Sequence, residues 1–289
     1  MRRKEFLKLS SLGFLGLYSC GISNLKNNKK TLGIQLYTVR DAISENIEKT
    51  LEKLSALGFT ELEIYGYNGT FFGKSRNEFQ AILKNTGLKV ISSHHTTGIL
   101  HQDKGTLLNN WEKSVEDLHF IGTKYMVCSY LFPEERTIEN YKKLPELLGK
   151  SGEITKKAAI QFAYHNHDFE FEKFDETKNI YDFILENSSP DLVKMELDLY
   201  WISKAGIDPL IYFEKYPKRF PLWHVKDMKA ETKDFAEIGN GTIDFKRIFD
   251  AREKAGLQYW FLEQDSSNKD MFESITISKN YILEHSYFR

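Results

Sequence analysis

The sequence predicts a single α/β domain, a (β/α)8 TIM barrel over residues 31–289, preceded by an N-terminal export segment. Three observations predict it. Eight short apolar runs alternate with longer amphipathic ones, and their combined length suits the ~250 residues typical of that barrel. No glycine-rich phosphate loop follows the first apolar run, where "LYTVRDAIS" stands, as an open doubly wound sheet would require. No linker or shift of composition splits the region.

The eight strands are expected in order at "TLGIQLY" (31–37), "TELEIYG" (60–66), "LKVISSHH" (88–95), "KYMVCSY" (124–130), "IQFAYHNH" (160–167), "LVKMELDLY" (192–200), "FPLWHVKD" (220–227) and "QYWFLEQD" (258–265). Helical patterns lie between them. In "SENIEKTLEKLSALG" (44–58), Ile47, Leu51, Leu54 and Leu57 recur at three- and four-residue steps and Gly58 stops the helix. Further helices are expected over 76–86, 106–120, 137–158, 179–187, 208–216, 244–255 and 269–285.

A barrel of this kind works at the C-terminal ends of its strands. Those ends are polar here: Glu61 and Glu63 on strand two, His94 and His95 on strand three, and His165 and His167 on strand five. Glu196 and Asp198 follow on strand six, His224, Lys226 and Asp227 on strand seven, and Glu263 and Asp265 on strand eight. The chain has 8 histidines, and five of them stand at three of these ends. Charges inside a barrel mouth are costly unless they are paired or bind a cation. Imidazole nitrogen and carboxylate oxygen from adjacent strands suit one divalent ion such as Mn, Co, Fe, Zn or Mg. The expected ligands are His165, Asp198, His224 and Glu263, one from each of strands five to eight. The alternative is a network of ion pairs and hydrogen bonds with no metal.

The N-terminus reads separately. Basic Arg2, Arg3 and Lys4 precede an apolar run from Leu9 to Tyr18 that is too short to span a bilayer. Leu17-Tyr18-Ser19-Cys20 resembles a bacterial lipobox, with Cys20 as the lipidated residue, and "RKEFLK" resembles a twin-arginine export motif with Lys4 in place of the second arginine. Residues 1–19 are therefore expected to be a signal peptide, 20–30 a tether, and the mature chain a periplasmic protein anchored to a bacterial membrane. Cleavage before Cys20 removes four of the 40 basic and one of the 41 acidic residues, leaving a slight negative excess. That charge does not suit nucleic acid, where clustered positive charge supplies most of the affinity. Cys128 is then the sole remaining thiol, so no internal disulfide is expected.

From "GIQLYTVRD" (33–41) through "YHNHDFEF" (164–171), "ELDLYW" (196–201), "WHVKD" (223–227) and "IGNGTIDF" (238–245) to "FLEQD" (261–265), the chain resembles the xylose isomerase-like barrel superfamily, in its sugar phosphate isomerase/epimerase branch. The resemblance implies a metal held by Glu, Asp, His and Glu on four consecutive strands. Asp198, His224 and Glu263 match the last three positions, and His165 stands where the first glutamate is usual. In that family the two glutamates also move protons, so the resemblance leaves the division of labour between His165 and His167 open. His165 is expected as ligand and His167 as substrate contact or acid/base, with the reverse assignment standing beside it. Glu263 is the expected proton carrier and Lys226 the stabiliser of an oxyanion, unless Lys226 simply pairs with a carboxylate. Glu63 and His94 are expected to reach substrate hydroxyls, and Tyr37 and Trp201 to stack on a sugar face.

These residues suit isomerisation or epimerisation of a small carbohydrate through an enediolate. The same intermediate can expel a substituent, which would make the chain a 3-keto-glycoside lyase or hydratase. Export favours an unphosphorylated sugar, keto-sugar or cyclitol as substrate. A non-catalytic sugar-binding lipoprotein is the remaining alternative, since the DNA-cleaving endonuclease IV branch does not suit an exported acidic chain. A homodimer is left open.

Overall fold

The computed structural model describes residues 31–288. The expected signal peptide, tether and Cys20 lie outside the described residues. Eight parallel strands close a barrel: β1 (Gly33–Gln35), β2 (Glu61–Ile64), β3 (Lys89–Thr96), β4 (Tyr125–Tyr130), β5 (Gln161–His165), β6 (Val193–Asp198), β7 (Leu222–Val225) and, after a short hairpin of β8 (Asp227–Met228) and β9 (Phe235–Ala236), β10 (Tyr259–Leu262). Seven of the eight barrel strands fall inside their apolar runs and β3 passes its own by one residue, Thr96; β1 pairs with both β2 and β10 to complete the ring. Gly33 permits that closure, because a Cβ there would stand 2.5 Å from the Trp260 carbonyl oxygen.

The helices follow the amphipathic runs for local reasons. Asn46 caps the helix Ile47–Ala56 by accepting from Lys49 N, and the helix buries Ile47, Leu51 and Leu54 against the barrel wall. Ser75 and Glu78 form a capping box at the start of Arg76–Thr86, and Gly87 ends that helix in the left-handed region at φ 72°. On the outer face of β7, Trp223 lies flat on Phe213 with ring centroids 5.1 Å apart. Cys128 is buried as a free thiol.

Three of the boundaries that differ from expectation have a clear local cause. The strand expected to run to Tyr200 stops at Asp198, because the Asp198 carboxylate caps a new helix, Leu199–Lys204. The helix expected from 106 begins at Trp111, and the residues before it form a loop pinned by the Thr106–Asn109 bridge. The helix expected over 244–255 is broken into Phe245–Asp250 and Arg252–Ala255.

Inside the barrel, Ile91, Val127, Ala163, Leu222 and Phe261 form an apolar floor. Two-residue periodicity then lifts His165 above Ala163, His224 above Leu222 and Glu263 above Phe261, which places the polar cluster directly on that floor.

Candidate active site

The cluster has two tiers. In the lower one, Glu63 Oε1 stands 2.5 Å from His224 Nε2 and 2.9 Å from His94 Nε2, and it accepts from Gln35 Nε2 at 2.8 Å. Glu196 Oε2 stands 2.6 Å from His94 Nε2 and 3.1 Å from His165 Nδ1. Burial opposes ionisation of Glu63, yet His94 and His224 hold its carboxyl well below the usual range. Burial likewise opposes charge on His94, but Glu63 and Glu196 raise its imidazole to about 9. Burial and the neighbouring Glu63 push Glu196 up to about 7.

The upper tier holds Asp198, Glu263, Asp265 and Lys226. Lys226 Nζ lies 2.7 Å from Glu263 Oε2, 3.0 Å from Asp198 Oδ2 and 3.0 Å from Asp265 Oδ2. His224 Nδ1 is 2.6 Å from Glu263 Oε2 and 3.7 Å from Asp198 Oδ2, while His165 Nε2 is 3.9 Å from Asp198 Oδ2. Burial opposes charge on Lys226, but Asp198, Asp265 and Glu263 hold it protonated far above the usual lysine range. Burial also opposes ionisation of Glu263, and Lys226 and His224 overcome it, keeping that carboxylate charged.

Two donor groups can be drawn from these tiers. His94, His165, Glu196 and His224 offer atoms within 4.8 Å of one another, as do Asp198, His224 and Glu263. In the lower group the nitrogens already stand at hydrogen-bonding distance from the two glutamates. In the upper group Asp198 Oδ2 and His224 Nδ1 are buried and make no well-aligned hydrogen bond, although Lys226 Nζ stands 3.0 Å from the first and Glu263 Oε2 2.6 Å from the second. A buried oxygen and nitrogen whose hydrogen bonding is incomplete, beside two further donors, fit a divalent cation. If His224 Nε2–H and His165 Nδ1–H donate downward to Glu63 and Glu196, the remaining lone pairs, Nδ1 and Nε2, face Asp198. Metal-ligating histidines are oriented in this way by buried carboxylates.

The structure thus brings together three of the expected ligands, with His165 beside Asp198. His167 lines the cavity above them and stacks on Phe169 at 5.3 Å, and burial, with Lys226 next, lowers its pKa well below the usual value. His94 and Trp201 also line the cavity. Tyr37 stands on its rim, 41% exposed, edge-on to Tyr65. Glu63 is placed differently from a substrate contact: it is fully buried beneath His94 and His224 and does not line the cavity.

Several supporting contacts were not legible in the sequence. Asp198 divides its oxygens, Oδ1 capping the next helix through Tyr200 N and Trp201 N while Oδ2 faces the cluster. Asn166 Oδ1 accepts from Asp198 N at 3.1 Å and ties β5 to β6. Glu170 accepts from Tyr164 Oη at 2.6 Å and from His167 N at 2.7 Å, fixing the turn that carries His167 beyond the end of β5. Glu170 follows His167 by three residues, and that spacing was the available signal. Asp227 accepts from the backbone N–H groups of Met228, Gly239, Gly241 and Ile243, which accounts for the glycines of "IGNGTI".

Comparison with known proteins agrees with this architecture. The chain is 23% identical over 306 residues to an inosose dehydratase of Bacillus cereus strain AH820, covering 90% of this chain and 98% of that one. A sugar phosphate isomerase/epimerase structure from Parabacteroides distasonis superposes with a TM-score of 0.78 at 28% identity, over 92% of this chain and 97% of that one. A zinc-bound IolI protein superposes at 0.69 with 14% identity, over 88% and 97% of the two chains, and shows the shared fold. The model of the xylose isomerase-like TIM barrel family matches residues 51–279, and the chain belongs to that family.

Proposed function

We propose that this chain is a divalent-metal-dependent isomerase or epimerase acting on an unphosphorylated sugar or keto-sugar through an enediolate. The observation that carries the reading is the convergence of Asp198, His224 and Glu263, whose ligand atoms lie within 4.8 Å of one another and are buried. Membership of a family with sugar isomerase and inosose dehydratase relatives supports the same reading. His165 Nε2, Asp198 Oδ2, His224 Nδ1 and Glu263 would hold the ion. A cation there polarises a carbonyl and its neighbouring hydroxyl and so acidifies the adjacent C–H.

The chain's own residues supply the rest. Glu263, kept ionised, is the carboxylate positioned to move a proton. His167, neutral in its buried setting, is a second proton carrier from the β5 side. The Lys226 ammonium lies beside both and stabilises negative charge developing on the substrate oxygen. His94 borders the same space, and Trp201 offers a ring face to the sugar. Two of the cations that line the mouth are already engaged. Arg136 donates to Leu131 O and Tyr130 Oη, and Lys204 pairs with Asp168.

A second reading, β-elimination from a keto-glycoside or cyclitol, uses the same base and oxyanion partner. It is favoured by the dehydratase relative, which aligns over nearly its whole length. We also propose export and lipid anchoring at Cys20, which radiolabelled palmitate incorporation, abolished in Cys20→Ala, would support.

Metal analysis and solvent exchange test the function. The expected result is roughly one ion per chain purified without chelator, with deuterium from D₂O entering a keto-sugar and chelation abolishing it. Failure to take up any divalent ion would sink the site and favour a sugar-binding protein.

A further inference from the structure

The cavity above the cluster is larger than one sugar needs. Its volume is about 1350 Å³, against the ~300–1,000 Å³ of pockets that enclose drug-sized ligands. Its two halves differ in chemistry. The deep half is lined by His94, His165, Lys226 and Glu263, and one sugar ring beside those groups leaves the outer half empty.

The outer half is walled by a chain of rings that begins at the cluster. His167 packs edge-on against Tyr130 at 5.0 Å, Tyr130 against Phe132 at 5.4 Å, and Phe132 against His101 at 4.4 Å. Phe132 is half-buried and His101 exposed, and both line the cavity, so their ring faces are not consumed by core packing.

This wall is held in place from behind. Glu135 is 1% exposed. It accepts from Thr97 Oγ1 at 3.0 Å and Leu100 N at 2.9 Å on the loop that leads to His101. Its other oxygen accepts from Phe132 N at 3.0 Å. One buried carboxylate therefore fixes the two loops that present His101 and Phe132. Arg136 locks Tyr130 through its hydroxyl at 2.7 Å and lies 3.6 Å over the Phe169 ring. A preformed aromatic surface suits a flat ring, either the C–H face of a sugar or an aryl group.

We propose that the outer half of this cavity is a second-ring subsite. The substrate is then a glycoside, whose reacting sugar lies at the cluster and whose aglycone ring lies against Phe132 and His101. The inference rests on the sugar-modifying function proposed above and specifies its substrate class.

Calorimetric titration of the full-length, metal-loaded protein tests it, with the 3-keto derivatives of methyl glucoside, phenyl glucoside and cellobiose as probes. The expected result is at least tenfold tighter binding of a two-ring probe than of the methyl glycoside. Preference for the phenyl compound identifies an aryl aglycone, and preference for the cellobiose derivative a sugar. Phe132→Ala should erase that preference while leaving methyl glycoside affinity and metal content unchanged. His101→Ala, at an exposed position, should weaken the two-ring probe alone, and it stands in for Phe132→Ala if that variant does not fold. Equal affinity for all three probes, or equal weakening of all three in the variants, overturns the subsite but leaves the function standing. No binding of any probe by protein that holds its metal overturns both.

Discussion

Glu63 Oε1 and His224 Nε2 are 2.5 Å apart at the centre of the barrel, with both side chains wholly buried. Gln35 Nε2 donates to the same oxygen at 2.8 Å. This contact dictates which face of the His224 ring meets Asp198 and Glu263, so Glu63 positions the ring without lining the cavity.

Glu63→Gln should therefore weaken metal binding by about 10–100-fold, the usual effect of removing a carboxylate behind a ligating histidine. Titration calorimetry on the folded variant measures it. Unchanged affinity would show that the contact does not orient the ligand.

Lys226→Met removes the ammonium from Asp198, Glu263 and Asp265 and leaves three carboxylates facing one another. Breaking a buried ion pair from one side costs about 3–5 kcal/mol. The melting temperature of metal-free protein should fall clearly, and added divalent ion should restore much of it, because a cation replaces the missing charge. Deuterium exchange should stay lost even in the restored protein, since the oxyanion partner is gone.

Glu170 makes stability depend on pH. Burial raises its carboxyl from 4.5 to about 7 in the folded chain, against the opposing effect of its contacts with Tyr164 and the His167 backbone. The native state binds this proton more tightly than the unfolded state. Its stabilisation is thus complete below about pH 4.5 and is lost as pH rises through about 7. The upper bound is on the order of 3 kcal/mol. Glu170→Gln should flatten this part of the profile, so that wild type loses more melting temperature than the variant between pH 5 and 8. Parallel profiles would refute the assignment.

Gly241→Ala should destabilise the segment after β9. A Cβ there would stand 2.1 Å from Asp227 Oδ1, the carboxylate that gathers four backbone N–H groups. Overpacking of this kind costs about 1–3 kcal/mol. Proteolysis should speed up within 238–243, and activity should fall with it, because Asp227 directly follows Lys226.

The barrel was legible in the sequence because each strand buries an apolar run and each helix presents a 3.6-residue stripe. What escaped depended on the packed structure. Residues 199–204 extend an apolar run, and only the Asp198 side chain, turned onto Tyr200 N and Trp201 N, converts them to helix. The strands of the β8–β9 hairpin are two residues each, too short for a period to show. That Asp198, His224 and Glu263 would meet was legible from types and spacing, but the layer beneath them was not. That Glu63 and Glu196 point at histidine nitrogens follows from strand register around the closed ring. The same register gives the two nitrogens of His165 different partners, Glu196 and Asp198, which residue types alone left open.

The divided carboxylate of Asp198 also gives the protein an optical gauge. Oδ1 grips the backbone amide of Trp201, Oδ2 faces the cluster, and the indole lies 5.7 Å from Lys226 Nζ. Any ion that draws on Oδ2, or any ligand that moves Lys226, acts on the surroundings of that one fluorophore. With Trp111, Trp223 and Trp260 changed to Phe, the emission of Trp201 would follow loading of the barrel in real time without an added dye.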